Sequence, residues 1–146
     1  MSTLPLLVGV TAGALLATQA PINAELARGL GSPLAAAAVN FVVGGVVLVV
    51  LAALTSGGVA PRWAEAPAWT YLAGGCLGAS FVTTSILLVP RLGASTLIAL
   101  MVAGQLIAGL VLDHYGWLGL AQREITPGRL AGAGLLLAGV GLLRFG

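Results

Sequence analysis

The chain has 146 residues, of which 59% are hydrophobic and 7% are charged, and all six basic residues are Arg. Soluble domains carry roughly 25% charged residues, so this composition excludes an ordinary soluble domain and predicts an integral membrane protein. The arginines are scattered singly, which excludes the clustered basic face of a nucleic-acid-binding protein.

Five apolar segments are each long enough to cross a bilayer as a helix, which takes about 20 residues. The strand-like alternation of a membrane barrel is absent. The sequence therefore predicts an all-α fold with five transmembrane helices in a single domain, residues 1–146. The predicted helices cover residues 4–27, 33–54, 67–89, 93–112 and 127–143.

The first segment carries two amides, Gln19 and Asn23, on one helical face, because residues i and i+4 are neighbours. Pro21 lies between them and removes one backbone hydrogen bond. A signal peptide is not expected here, since no Lys or Arg precedes the apolar run and Pro21 would directly follow the small-residue cleavage site. The segment is predicted to be a spanning helix.

Three further segments add neutral polar groups close to the membrane midplane. The second contains Asn40, the third contains Thr83 and Thr84, and the fourth contains Gln105 near its middle. Hydroxyls and amides can simply bond between helices, at about 0.6 kcal/mol each. For the amides a solute pathway is an equally good explanation, because each brings four hydrogen-bonding positions into an apolar bundle. The candidate pathway residues are Gln19, Asn23, Asn40, Thr83, Thr84 and Gln105.

Pro90, Arg91 and Leu92 are predicted to form the turn between the third and fourth helices. The only cysteine, Cys76, lies inside the third segment, so an intramolecular disulfide is impossible and no thiolate metal site is suggested. No metal or other cofactor is predicted.

The fourth segment ends in Asp113, His114 and Tyr115. Charged and aromatic residues are common at helix ends in the membrane interface. A metal site would need more ligands nearby, and a catalytic dyad would need a nucleophile. The three residues are therefore predicted to fix the helix end or to form a gate, and the protein is not expected to be an enzyme.

The fifth segment carries a stripe of small residues, defined by Ala131, Gly134, Ala138 and Gly141. Small residues spaced along one helical face let two helices approach closely in lipid. The stripe is predicted to contact another helix, with the same helix of a second copy as the favoured partner.

The arginines divide evenly between the two membrane faces. We call the face of the N-terminus face A and the face of the C-terminus face B. Face A has Arg62, Arg123 and Arg129, and face B has Arg28, Arg91 and Arg144. An excess of basic residues normally fixes orientation, and here neither face has one. This balance predicts insertion in both orientations and an antiparallel homodimer of ten helices, although a fixed partner could orient the chain instead.

Several pieces of the sequence resemble the YdcZ-like, half-size branch of the drug/metabolite transporter superfamily. They are Gln19 with Ile22-Asn23-Ala24, Gly74-Gly75 with Leu77-Gly78-Ala79, Pro90-Arg91-Leu92-Gly93-Ala94, and Gly104-Gln105 followed by Leu112-Asp113-His114-Tyr115-Gly116. The resemblance implies a five-helix half-transporter in the bacterial inner membrane that exports a small molecule. Asn40 departs from the small hydroxyl residue expected in relatives.

The leading functional hypothesis is a secondary transporter that works by alternating access as an inverted-topology homodimer, with a small-molecule substrate and membrane lipid as its other partners. Two alternatives stay open. A small dual-topology fluoride channel is faintly suggested by Gly-Gly-x-x-Gly-Ala and by Asn40-Phe41. A membrane assembly subunit without transport activity is the other.

Overall fold

The structure is a computed structural model that describes residues 3–57 and 65–146. Arg62, one of the three arginines assigned to face A, lies outside the described residues. Within them the chain forms five long α-helices: α1 (Leu4–Leu30), α2 (Pro33–Thr55), α3 (Ala68–Leu92), α4 (Ala94–Tyr115) and α5 (Pro127–Phe145). One turn of 3-10 helix, Trp117–Gly119, follows α4.

Each of the five helices is long and apolar enough to cross a membrane. At 1.5 Å per residue α5 is about 29 Å long and α1 about 40 Å long, against a hydrocarbon core of about 30 Å. The prediction of an all-helical membrane protein is confirmed at this level. The single-domain assignment stays a prediction, since the chain divides into two compact units, Met1–Arg91 and Leu92–Gly146.

Several helix ends differ from the sequence-based boundaries by one to three residues, and the ends of α1, α3 and α4 each lie three residues later than predicted. Helix α1 continues through Arg28 to Leu30, and α3 continues through Pro90 to Leu92. The prediction that Pro90, Arg91 and Leu92 form the turn is therefore wrong. Pro90 removes only one hydrogen bond, to the carbonyl four residues earlier, and it does so in the last turn of the helix. Gly93 alone separates α3 from α4 and has a φ of 75°, a conformation that glycine adopts without steric cost.

The first unit packs α1, α2 and α3 around small residues. Its core consists of Ala27 from α1, Ala36 and Ala37 from α2, and Val82 and Ile86 from α3. Alanine at these contacts lets the helix backbones come close together, which stabilises helix association in lipid. All of these residues lie toward the C-terminal ends of α1 and α3 and the N-terminal end of α2, so the unit is packed most tightly at face B.

A short connection with its own hydrogen bonds joins α1 to α2. The backbone N–H of Gly31 donates to the carbonyls of Ala27 and Arg28, and the Oγ of Ser32 accepts from the backbone N–H of Ala35 at 3.2 Å. Pro33 follows as the first residue of α2, where its missing N–H costs nothing. The two helices are therefore antiparallel neighbours.

The second unit is the hairpin of α4 and α5, which pack against each other. Buried residues recur seven positions apart on each helix, at Ala103 and Leu110 on α4 and at Ala133 and Val140 on α5. A seven-residue interval returns to the same helical face. One face of each helix is thus buried, and the opposite faces remain open.

Candidate functional site

The first unit brings two of the candidate pathway amides together. The Nε2 of Gln19 on α1 donates a hydrogen bond to the Oδ1 of Asn40 on α2, at 3.2 Å. Both side chains are half-buried. Asn40 lies one turn beyond the core residues Ala36 and Ala37, so the residues that pack α1 against α2 also position its amide.

Asn23 lies on the same face of α1 as Gln19 and is 5% exposed. It is flanked by the buried residues Ala20, Ala24 and Ala27, whose spacing defines the packed face of α1. An amide at such a depth must find hydrogen-bond partners in protein, water or a solute, because an unsatisfied buried polar group destabilises the fold. Asn23 therefore extends the polar layer that Gln19 and Asn40 begin.

The hydroxyl residues of α3 differ in exposure. Thr83 is half-buried, and Thr84 is exposed. Two neighbouring serines bond to their own helix, with Ser80 donating to the carbonyl of Cys76 at 2.8 Å and Ser85 donating to that of Phe81 at 2.7 Å. Such bonds satisfy a hydroxyl without any partner helix.

The paired amides keep most of their hydrogen-bonding capacity. Each amide has two donor and two acceptor positions, and the bond between Gln19 and Asn40 uses one position on each. The remaining positions are neutral donors and acceptors. This arrangement can bind a solute by hydrogen bonds but supplies neither a charge nor a nucleophile.

Gln105 belongs to the second unit and lies near the middle of α4. Its side chain is exposed, as are those of Val102 and Ala108, which lie on the same helical face. An amide facing hydrocarbon is unfavourable, because lipid tails offer no hydrogen-bond partner. The exposed face of α4 around Gln105 therefore calls for a covering partner or for a water-filled path.

At face A, Asp113 ties the end of α4 to the start of α5. Its carboxylate forms a salt bridge with the guanidinium of Arg129, and its backbone carbonyl accepts from the N–H of Arg123 at 2.7 Å. The Nη1 of Arg129 also donates to the carbonyl of Glu124 at 3.3 Å. We call these contacts the face A tie.

Gly116 makes the tie possible. It ends α4 in the left-handed conformation, with φ of 63°, and a Cβ there would lie 3.3 Å from the carbonyl oxygen of Leu120. A larger residue would be strained both by its backbone and by this close approach. Glycine therefore lets the connection fold back onto Asp113 without this strain.

The ring of His114 meets that of Tyr115 edge to face at 4.9 Å, and Tyr115 stacks on Trp117 at 5.0 Å. Within the described part of the chain the buried Nδ1 of His114 has no hydrogen-bond partner. Tyr115 and Trp117 are exposed, as expected of aromatics in the membrane interface. The assignment of Asp113, His114 and Tyr115 to a gate or helix lock stays a prediction.

Arg129 is the residue that the sequence reasoning missed. The sequence identifies it only as a charge on face A, whereas in the structure it makes most of the contacts of the tie. The available signal in the sequence is an acidic residue at the end of one helix, Asp113, followed by a basic residue in the first turn of the next helix, Arg129. The pairing of those two ends could not be read from the sequence.

The small-residue stripe of α5 faces away from the buried side of its helix. Ala131, Gly134 and Ala138 are exposed and Gly141 is half-buried, whereas Ala133 and Val140 are buried. A Cβ added at Gly134 or Gly141 would meet no atom within 4 Å. The stripe is thus open to a further helix, and its contact with a partner stays a prediction.

The described residues contain no group of three or more His, Cys, Asp or Glu side chains that could hold a metal ion. Cys76 is a free, exposed cysteine. The polar side chains described above are amides, hydroxyls, the imidazole of His114 and the ion pair of Asp113 with Arg129.

Five long apolar helices, two of which are joined by a hydrogen bond between amides, define a multi-pass helical membrane protein. The family model described as "Putative inner membrane exporter, YdcZ" matches residues 4–142. The chain belongs to this YdcZ family, and it is a multi-pass inner-membrane protein.

A curated relative is the "Inner membrane protein YdcZ" of Escherichia coli (strain K12). It is 43% identical to this chain over 75 residues, which cover 51% of this chain and 50% of the relative. The match thus spans about half the length of that protein. No solved structure matches the chain.

Proposed function

We propose that the chain is a secondary transporter that exports a small solute by alternating access and works as an antiparallel homodimer. Membership of an inner-membrane exporter family supports the transport class. The observation that carries the proposal is the hydrogen bond between Gln19 and Asn40, which joins two amides of different helices inside an apolar bundle.

The proposed pathway is lined by Gln19, Asn23, Asn40, Thr83, Thr84 and Gln105. All six side chains are neutral and can both donate and accept hydrogen bonds. No acidic or basic residue lies near the middle of the predicted spans, where an ion-coupled site would place one. The pathway therefore suits a solute recognised by hydrogen bonds rather than by a full charge.

The antiparallel pairing is supported by the three-against-three division of arginines between the faces. A twofold axis in the membrane plane relates inverted copies in many transporters. Such an axis carries a residue at the membrane midplane onto the same level in the second copy. Gln105, near the middle of α4 and exposed, would then face its own copy, and each amide could satisfy the other.

Dual insertion is tested with C-terminal reporters that are active only in the cytoplasm or only outside it, and both should give signal. Adding two Lys after Gly146 should favour the orientation with face B in the cytoplasm. The double variant Ala121→Lys, Glu124→Lys should favour the orientation with face A in the cytoplasm. A native C-terminus on one side alone would remove the antiparallel model.

Cysteine cross-linking tests whether α4 faces its copy, with Cys76→Ala as the background. Val102 and Ala108 lie equally far before and after Gln105. An antiparallel pair should cross-link Val102→Cys in one copy to Ala108→Cys in the other. A parallel pair should instead cross-link each variant to itself. If no combination cross-links while the reporters show dual insertion, the antiparallel dimer is retained and the contact between the two copies of α4 is rejected.

Transport itself is tested by a thermal-shift screen of metabolites and drugs on the purified protein, because a ligand that binds only the folded state raises its stability. Hits are then tested for flux into liposomes. Rapid fluoride efflux without any stabilising solute would instead identify a channel. The absence of both would favour an assembly subunit.

A further inference from the structure

A cleft opens in the first unit where α1 ends, α2 begins and α3 ends. Its volume is about 340 Å³. Most of the lining is apolar, with Ala24 and Ala27 from α1, Pro33 from α2 and Ile86 and Leu87 from α3. Two arginines, Arg28 and Arg91, also line it.

Helix length places the cleft at the level of the lipid headgroups. Helices α1 and α3 are about 40 Å and 37 Å long, so their ends extend beyond a hydrocarbon core of about 30 Å. Arg28 and Arg91 both lie in the last turn of their helices. The apolar part of the lining, one or more turns earlier on each helix, is then level with the upper part of the acyl chains.

The two guanidinium groups are available to an anion. Arg91 is exposed, and within the described residues no salt bridge engages it. Arg28 is paired with Glu25 three residues earlier, and both side chains of that pair are more than 70% exposed. Exposed pairs of this kind contribute about 0–1 kcal/mol, so a phosphate can replace Glu25 at little cost.

We propose that this cleft binds an anionic phospholipid, with the headgroup phosphate between Arg28 and Arg91 and an acyl chain along Ile86 and Leu87. Arginine suits this role because its planar fork donates two hydrogen bonds to one phosphate. Basic pockets between transmembrane helices are known to hold anionic headgroups. A free phosphate would use the arginines but gain nothing from the apolar walls, so the lining favours the lipid.

The test measures binding of phosphatidylglycerol and of phosphatidylcholine with the same acyl chains to the purified full-length protein, by native mass spectrometry and by thermal stabilisation. Phosphatidylglycerol should bind more tightly. Arg28→Gln and Arg91→Gln should each weaken it roughly tenfold or more, the effect of losing a charge-assisted hydrogen bond to the phosphate. Circular dichroism checks that each variant is folded.

Arg144→Gln is the matched control, because Arg144 is an exposed arginine of face B that does not line the cleft. If this control weakens phosphatidylglycerol binding as much as Arg91→Gln does, the attraction is a diffuse effect of charge and the proposed site is wrong. Equal binding of the two lipids would also overturn it.

A second variant tests the apolar walls. Leu87→Trp, at an exposed position of the lining, should fill part of the cleft and weaken binding of phosphatidylglycerol without changing the charge. Inorganic phosphate at millimolar concentration should fail to displace the lipid. Displacement by phosphate, or unchanged lipid binding by Leu87→Trp, would show a simple anion site and contradict the lipid assignment.

Discussion

The face A tie predicts a measurable coupling between Asp113 and Arg129. Replacing Arg129 by Met keeps most of the apolar stem of the side chain but removes the salt bridge and the hydrogen bonds to the carbonyls of Arg123 and Glu124. Replacing Asp113 by Asn removes the charge and leaves the backbone bond to Arg123 in place. The two variants and their combination form a double-mutant cycle.

The exposure of the pair sets the expected magnitude. The side chains of Arg129 and Asp113 are 31% and 28% exposed. Fully exposed pairs contribute about 0.2–1 kcal/mol, and breaking a fully buried pair costs about 3–5 kcal/mol. We therefore expect a coupling of about 1–2 kcal/mol for this intermediate case. Arg129→Met should lower the free energy of unfolding by about 1 kcal/mol more than Asp113→Asn does, because it also removes two hydrogen bonds to carbonyls. These two bonds are long, at 3.5 Å and 3.3 Å, so their contribution is small.

The measurement is reversible unfolding in mixed detergent micelles, followed by circular dichroism as the denaturing detergent is increased. Arg123→Met is the matched control, because it removes an exposed arginine of the same connection while keeping the backbone N–H that bonds to Asp113. A coupling below about 0.3 kcal/mol lies within ordinary additivity and would refute the tie as a stabilising contact. If Arg123→Met destabilises the protein as much as Arg129→Met does, the tie is likewise refuted as a stabilising contact.

Two further predictions concern the pathway and the stripe. Gln19→Leu should abolish stabilisation by the solute. It should lower the free energy of unfolding by only about 0.6 kcal/mol, the typical contribution of one interhelical hydrogen bond. If the variant binds solute normally, the amide of Gln19 is only a packing contact. Gly134→Ile should shift the protein toward monomer in detergent and in bilayers, whereas the control Leu135→Ile should not. If the dimer populations of Gly134→Ile and of the unchanged protein are equal, the dimer interface lies on another helix.

The number and kind of helices could be predicted from the sequence because apolar length is a local property. Five long apolar runs separated by Gly, Pro and Arg become five helices whatever their packing. The helix ends were less predictable. Pro90 is compatible with the last turn of α3, and a single glycine with positive φ, Gly93, replaces a three-residue turn.

The contacts of the site depend on helix rotation, which the apolar segments do not encode strongly. Gln19 and Asn40 could each be recognised as unusual, but their hydrogen bond depends on how α1 and α2 pack through alanines. The contact of Arg129 with Asp113, sixteen residues earlier, could not be predicted for the same reason. Polar residues in apolar helices can be identified from the sequence, whereas their partners require the structure.

The face A tie also determines which parts of the chain can move independently. Residues 116–126 would reach about 36 Å if fully extended, enough to let the ends of α4 and α5 separate. They are instead held against Asp113 through Arg123 and Arg129. We therefore expect α4 and α5 to move together as one stiff hairpin. Where a neighbouring helix contacts the stripe, as predicted, a displacement of α5 should be passed on to α4, and so to Gln105, instead of being taken up by the connection.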